Sequence, residues 1–306
     1  MISFRSHLLT LVAVFFALAV GVVLGGGPLS EVGRAEPGGE DPEQSAAAAT
    51  DARNADFGSR FAGGVSTTLY AGRLTGREVA VVWLPGADQA VVDALGAQVL
   101  AAGGAVSAAL PLGPNLVNPG EKALVDTLGS QLVAQLPKDT VTPESTTYER
   151  IGQLLGYTLA TAKPEGAATT AQSAAVLEGL RGAALVEGAE TGQGEIGQRR
   201  APLVLVVLGD EVGGDGGGEG GDDILGGLIR GLSQSAVGVV VAGDTAAADD
   251  QLTRLRAATA LSTATSVDGV ETAPGQVATI LGLVRALSVQ GGDFGASGAD
   301  GAVPLG

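Results

Sequence analysis

The residues best placed to do chemistry are carboxylates. Asp210 and Asp244 each stand in a Gly-Asp pair directly after an apolar run, and together they could form a paired-carboxylate site. Between Gly209 and Asp223 runs an acidic glycine loop of the kind that can offer carboxylates and backbone carbonyls to Ca²⁺ or Mg²⁺. Each feature also has a plainer reading. Asp caps helices and forms turns after strands, and a glycine-rich acidic stretch is usually a solvated flexible loop. The loop lacks the regular nine-residue spacing of calcium-binding glycine repeats. Leu84-Pro85-Gly86-Ala87-Asp88 occupies the place of a dinucleotide loop without its glycine pattern. Cysteine is absent, and the one histidine is His7. Disulfides, thiolate metal sites, a Ser-His-Asp triad and histidine-based zinc hydrolysis are therefore excluded from everything after the N-terminal segment. The chain is not expected to be an enzyme or to hold a cofactor, and Asp210 and Asp244 remain weak metal candidates.

The elements that would carry these residues form a repeating pattern. Residues 77–84 form a continuous apolar strand ending at Pro85-Gly86. Asp88 can cap a helix through Val91, Val92, Leu95, Val99 and Leu100, and Ala105 to Leu110 reads as the next strand. Residues 119–136, 147–161 and 170–182 carry helical spacing, divided by Pro137, Pro143 and Pro164. Strands return at 202–208 and 237–242, with helices at 224–232, 249–260 and 276–287. Near-continuous apolar strands alternating with helices predict an α/β fold: a mostly parallel sheet with helices on both faces. Trp83 is expected in the core. In such a sheet, ligands bind beyond the carboxyl ends of the strands, where Asp88, Asp210 and Asp244 fall.

The net charge of −16 repels nucleic-acid phosphates, so no nucleic-acid partner is expected. Hydrophobic residues make up 45% of the 306 residues and aromatics only 3%, so the core must be Val, Leu, Ile and Ala. From Asp56 a stripe of Phe57, Phe61, Val65 and Leu69 recurs every four residues, with Asp56 as its cap. Docking on the core is the simpler reading, and pairing with another chain the alternative.

Leu8 to Leu24 is apolar apart from Thr10 and reaches the lower end of the roughly 17–25 residues that span a bilayer. Arg5 precedes it and His7 sits at its mouth, whereas Glu31, Glu36, Glu40, Asp41, Glu43, Asp51 and Asp56 follow, against only Arg34 and Arg53. The positive-inside rule then puts the N-terminus in the cytoplasm and the bulk outside it. A cleaved signal peptide is the alternative, but Ala17-Leu18-Ala19 lies inside the apolar run instead of after it. The expected organisation is a cytoplasmic end and transmembrane anchor over 1–27 and an acidic flexible linker over 28–55. An extracytoplasmic α/β domain follows over 56–290, with a disordered tail over 291–306.

Three stretches together carry a family resemblance: Met1 to Arg5 running into Leu11 to Gly25, Leu74 to Asp88 with its Leu-Pro-Gly-Ala-Asp end, and Ser266-Val267-Asp268-Gly269-Val270-Glu271-Thr272. They resemble the mycobacterial copper transport protein B (MctB) family of actinobacterial envelope proteins. The resemblance implies a channel-forming or channel-associated protein that lowers intracellular copper, with an outer-membrane location proposed. The residues themselves show no ten-residue alternating segments of an outer-membrane barrel. A homo-oligomer or an envelope protein partner, a scaffold role without copper handling, and a metal-dependent or small-ligand site at the strand ends all stay open.

Overall fold

The computed structural model describes residues 42–188, 198–212, 219–246 and 250–305. The expected anchor, Leu8–Leu24, lies outside the described residues. The chain falls into two compact units, Met1–Asp56 and Phe57–Gly306. Of the first, only the stretch from Pro42 is described, and it is helical throughout.

That helix, α1, spans Pro42–Tyr70, so part of the expected linker is corrected to helix. Pro42 opens it, as proline does at a first helical position, and the alanine run Ala46–Ala49 has the strongest helix propensity of any residue. The same observation removes Asp56 as a cap, because it lies within the helix.

The second unit is built on a six-stranded sheet in the order β2-β1-β5-β6-β7-β8. Its strands are β1 (Glu78–Trp83), β2 (Ala105–Pro111), β5 (Leu203–Val207), β6 (Gly238–Gly243), β7 (Thr265–Asp268) and β8 (Asp293–Gly295). Every neighbouring pair in it is parallel. A separate antiparallel ribbon joins β3 (Ala167–Ala168) to β4 (Arg199–Arg200).

Period-two alternation explains why the strands are apolar at every position. Ala80, Val82, Val204, Val206, Val239 and Val241 face one layer of helices. That layer holds α4 (Lys122–Val133), α5 (Thr147–Leu159), α6 (Ala171–Gly182), α7 (Glu219–Ser235) and α8 (Gln251–Ala257), while the short α3 (Pro114–Val117) precedes α4. Val79, Val81, Leu203, Leu205, Val240 and Val267 face the other layer, made by the end of α1, α2 (Gln89–Ala101) and α9 (Ala273–Ala286). Both faces are covered, as a parallel sheet requires. Trp83, expected in the core, is only partly buried at the end of β1.

Helices α5 and α7 cross with backbones nearly touching. A Cβ added at Gly231 would lie 2.2 Å from the Glu149 carbonyl oxygen, and one at Gly152 would lie 2.3 Å from that of Leu228. Only glycine allows this approach, which presses α7 tightly against α5.

Three further expectations are corrected. Helix α7 begins at Glu219, so the acidic glycine stretch ends as helix; residues 213–218 lie outside the described ones. Ser266-Val267-Asp268 is strand β7, fully buried, not a lead-in to the last helix. The tail expected after Gln290 supplies edge strand β8. Its glycines gave it the composition of disorder, but Gly291, Gly292 and Gly295 take positive φ (75°, 103° and 107°), and Phe294 anchors the strand in the core beneath the Arg285 guanidinium, 5.2 Å from the ring centroid.

The stripe at the domain's start is also redirected. The docking face of α1 is Ala62 and Tyr70, both buried, with the Tyr70 hydroxyl donating to Gln98 Oε1 at 3.3 Å. Phe57 and Phe61 are 67% and 60% exposed, and Leu69 is exposed as well. The four-residue spacing of the stripe drifts around a helix of 3.6 residues per turn, and the smaller Ala62 permits the closer approach.

Candidate functional site

Because the strands run in parallel, their carboxyl ends lie at one edge of the sheet. The chain passes from β1 outward to β2 and then back across β1 to β5, so the connections leave β1 and β5 in opposite directions. A crevice opens at such a switch point. Here it has a volume of about 350 Å³ and is lined by Pro85 from the β1 loop, Pro114, Val117, Asn118 and Pro119 from the region after β2, and Asp210, Glu211 and Val212 from the β5 loop.

Two glycines shape its floor. Gly86 has φ +82°, and a Cβ at Gly209 would lie 2.2 Å from the Pro85 carbonyl oxygen. The two loops are thus pressed together, and the Asp210 amide donates to that carbonyl at 2.9 Å. The Asp210 carboxylate lies directly over Gly86, where an added Cβ would fall 2.1 Å from its Cγ. Asp88 caps α2, accepting from the Ala90 amide at 2.8 Å.

Asp210 and Asp244 do not cap helices. Helix α7 starts well after Asp210, and the cap of α8 is Asp250, which accepts from the Thr253 amide at 2.8 Å. Asp244 sits at the end of β6, where desolvation, then the Glu271 carboxylate, then that of Asp88, push its carboxyl above the ordinary value. Glu271 is itself engaged, accepting from the Thr245 amide at 3.1 Å and from the Thr245 hydroxyl. Among the described residues, no three His, Cys, Asp or Glu side chains gather in a geometry that could hold a metal ion.

The described ends of the acidic stretch are tied to α8. Arg254 donates through Nε and Nη2 to the two oxygens of Asp222, at 2.9 and 3.1 Å, and through Nη2 to Glu211 at 2.5 Å. These hydrogen bonds, from Asp222 first and Glu211 second, hold the guanidinium still more firmly charged. Gln251 closes the arrangement, accepting from the Val212 amide at 3.1 Å and donating to Asp222.

The stretch Ser266 to Thr272 that carries the family resemblance builds a clamp, not an open site. Asp268 is fully buried; it pairs with Arg256 at 3.2 Å and accepts from the amides of Ala246 and Ser297. Arg256 also donates to Ser266 Oγ at 2.7 Å and to the Phe294 carbonyl at 2.9 Å. Ser266 donates to Asp293 at 2.6 Å. Gly269 turns the chain with φ +87°, and the Thr272 hydroxyl caps α9, accepting from the Gly275 amide at 3.2 Å. The clamp therefore fixes the ends of β6, β7 and β8 to one another. Arg254 and Arg256 were not visible as site residues; two arginines two positions apart in a seven-residue helix are the signal the sequence offers.

The fold and this edge define a class: a doubly wound parallel α/β domain whose strand-end loops are fixed on one side and open on the other. Its family can be stated. The model of the family described as "Copper transport outer membrane protein, MctB" matches residues 1–304, and the chain belongs to that family. None of the curated proteins compared with it matches. Membership connects the chain with copper homeostasis. Among the described residues no helix is long and apolar enough to cross a membrane.

Proposed function

We propose that the chain is a membrane-anchored envelope component of copper transport or efflux, channel-forming or channel-associated, with its α/β domain outside the cytoplasm. The observation that carries this reading is the family match, which takes in the apolar segment Leu8–Leu24 together with the domain. Charge asymmetry supports the orientation: Arg5 precedes the segment and a run of carboxylates follows it.

The domain's part in copper handling is structural. Copper(I) prefers thiolate or thioether sulfur and copper(II) favours imidazole, and the chain offers no cysteine, one methionine at Met1 and one histidine at His7. Selective coordination by carboxylates and backbone oxygens alone is a poor match to either ion. The metal is cargo of the pathway, and the domain positions or assembles the conduit. The exposed Phe57 and Phe61 favour a second reading, an envelope scaffold that meets a partner without handling copper.

A deletion strain separates the two. Loss of the transport component raises cell copper and lowers copper tolerance, and the full chain restores both, whereas a chain lacking residues 8–24 does not. Copper content and tolerance unchanged by the deletion would remove the transport reading and leave the scaffold.

A further inference from the structure

A second recess, of about 430 Å³, lies at the amino ends of the strands. Helix α9 runs from the carboxyl end of β7 to the amino end of β8, and its last turns form one wall. Arg73, in the turn that leads from α1 into β1, forms another, and Pro304 and Leu305 close it. The recess is therefore at the opposite edge of the sheet from the crevice and from Asp88, Asp210, Asp244 and Glu271.

Two guanidiniums line this recess, and no carboxylate does. Composition alone would give the reverse, since the chain holds 33 acidic residues against 17 basic ones. Elsewhere the arginines are taken: Arg150, Arg181, Arg199, Arg254 and Arg256 each pair with a carboxylate. Among the described residues Arg73 and Arg285 have no such partner. Arg73 is exposed, and only its backbone is tied, its amide donating to the Tyr70 carbonyl at 3.0 Å. Arg285 is held by other means. Its Nη1 donates to the Gly291 carbonyl at 2.5 Å, and its guanidinium lies 5.2 Å from the Phe294 ring centroid. Its Nε and Nη2 are left for a ligand. Two cations that share one recess repel each other, and an anion between them turns that repulsion into attraction.

The remaining walls say what kind of anion. On the face of α9 that carries Arg285, Leu281 is buried and Val284 half-buried; Leu305 opposite is 69% exposed. A hydrated inorganic ion gains nothing from such walls, whereas an organic anion buries apolar surface against them.

We propose that this recess binds an organic anion, with a phosphate or carboxylate head held by Arg73 and Arg285 and a short apolar body against Leu281, Val284 and Leu305. Guanidinium forks suit both kinds of head. The net charge of −16 repels an anionic bilayer as a surface, so the ligand enters as a single molecule. A free organic anion and the headgroup of one anionic lipid share this chemistry. The site stands independently of the copper reading.

The cysteine-free chain allows a footprint. Ser288→Cys places a single thiol at the exposed rim of the recess, and its alkylation by iodoacetamide is compared with and without ligand. With the full chain in phosphatidylcholine vesicles, hexyl phosphate or hexanoate is expected to slow alkylation about tenfold. Inorganic phosphate and hexanol, each with half of the chemistry, are expected to slow it less than about twofold. Ala123→Cys, exposed on α4 in the other helix layer, is expected to be unaffected. Arg73→Glu in the Ser288→Cys background is expected to abolish the protection without moving the Tm, because the Arg73 side chain holds no other described group. Lys122→Glu changes the net charge equally but lies away from the recess, and protection is expected to persist. Protection by hexanol equal to that by hexyl phosphate, protection that survives Arg73→Glu, or no protection by either organic anion overturns the proposal. Two supporting outcomes separate the sources. Arg73-dependent protection on replacing part of the phosphatidylcholine with phosphatidylglycerol, with no soluble anion added, identifies a lipid headgroup; protection by the soluble anions alone identifies a free one.

Discussion

Along one edge of one sheet, aspartate has two fates. At the end of β7, Asp268 is fully buried and satisfied by Arg256 and by the amides of Ala246 and Ser297. At the ends of β5 and β6, Asp210 and Asp244 stand exposed, one over Gly86 and the other facing Glu271 and Asp88. All three stand at the carboxyl end of a strand of the parallel sheet, so place in the topology does not distinguish them. What differs is the donor supply. Arg256 and the chain ends of β8 converge on Asp268, while the loops after β1 and β5 bring Asp210 mainly backbone and further carboxylate. A buried carboxylate persists only where it is paired and hydrogen-bonded. The β7–β8 side is therefore a structural clamp, and the β1–β5–β6 side is the open part of the edge.

The sharpest way to break this contrast is to remove the clamp. Asp268→Ala leaves the Arg256 guanidinium, only 10% exposed, without its buried partner. Breaking such a pair costs about 3 kcal/mol or more. For a domain of this size, that lowers the Tm by about 6–12 °C. Asp210→Asn removes a carboxylate that holds nothing together, and its effect is expected to stay within about 0.5 kcal/mol. Thermal unfolding of the two variants side by side checks the distinction; equal shifts would abolish it.

An intermediate case sharpens it. Asp88 is exposed, but its carboxylate caps α2 through the Ala90 amide. Asp88→Ala is expected to cost about 1 kcal/mol, the usual loss of a capping side chain. In the same unfolding series it falls between Asp268→Ala and Asp210→Asn. A loss as small as that of Asp210→Asn would mean that the cap contributes nothing at this end.

Much of the fold was legible in the sequence because apolar strands and helical spacing are local patterns. The strands at 78–83, 203–207 and 238–243 announce themselves as unbroken Val, Leu and Ala runs, and Asp88 as a cap follows from the residue alone. The misread elements are those decided by tertiary context. Phe294 gains an anchoring role only where β7 and Arg285 receive it, so a Gly/Asp/Ala tail read as disorder became an edge strand. Phe57 and Phe61 looked like core by periodicity, yet the domain accepts the smaller Ala62. Asp88, Asp210 and Asp244 follow the ends of β1, β5 and β6 in the chain, but of the three only Asp210 lines the crevice. The sequence could not show that Asp210 and Asp244 lack helices to cap, or that Arg254 and Arg256 would claim Asp222 and Asp268, since those pairings join residues distant in the chain.

The smallest expected effect tests the open side by its charge. The Asp244 carboxyl titrates above its ordinary value of 3.8, chiefly through desolvation and then through Glu271 and Asp88. Between that value and the raised one, the folded chain binds more protons than the unfolded chain, so stability falls as pH rises through this window. Above the window the ionised carboxylate is a standing penalty on the fold; below 3.8 the penalty is absent. Asp244→Asn is therefore expected to stabilise the domain at pH 7 and to lose that advantage as the pH is lowered through the window. Because Asp244 is solvent-exposed, screening keeps the gain small, at most about 0.5 kcal/mol. The measurement is the difference in Tm between Asp244→Asn and the parent from pH 7 down to pH 3.5. A destabilised variant at pH 7, or a difference that grows as the solution is acidified, would show that the Asp244 carboxylate has a cationic or hydrogen-bonding partner at this edge and is not part of an open acidic rim.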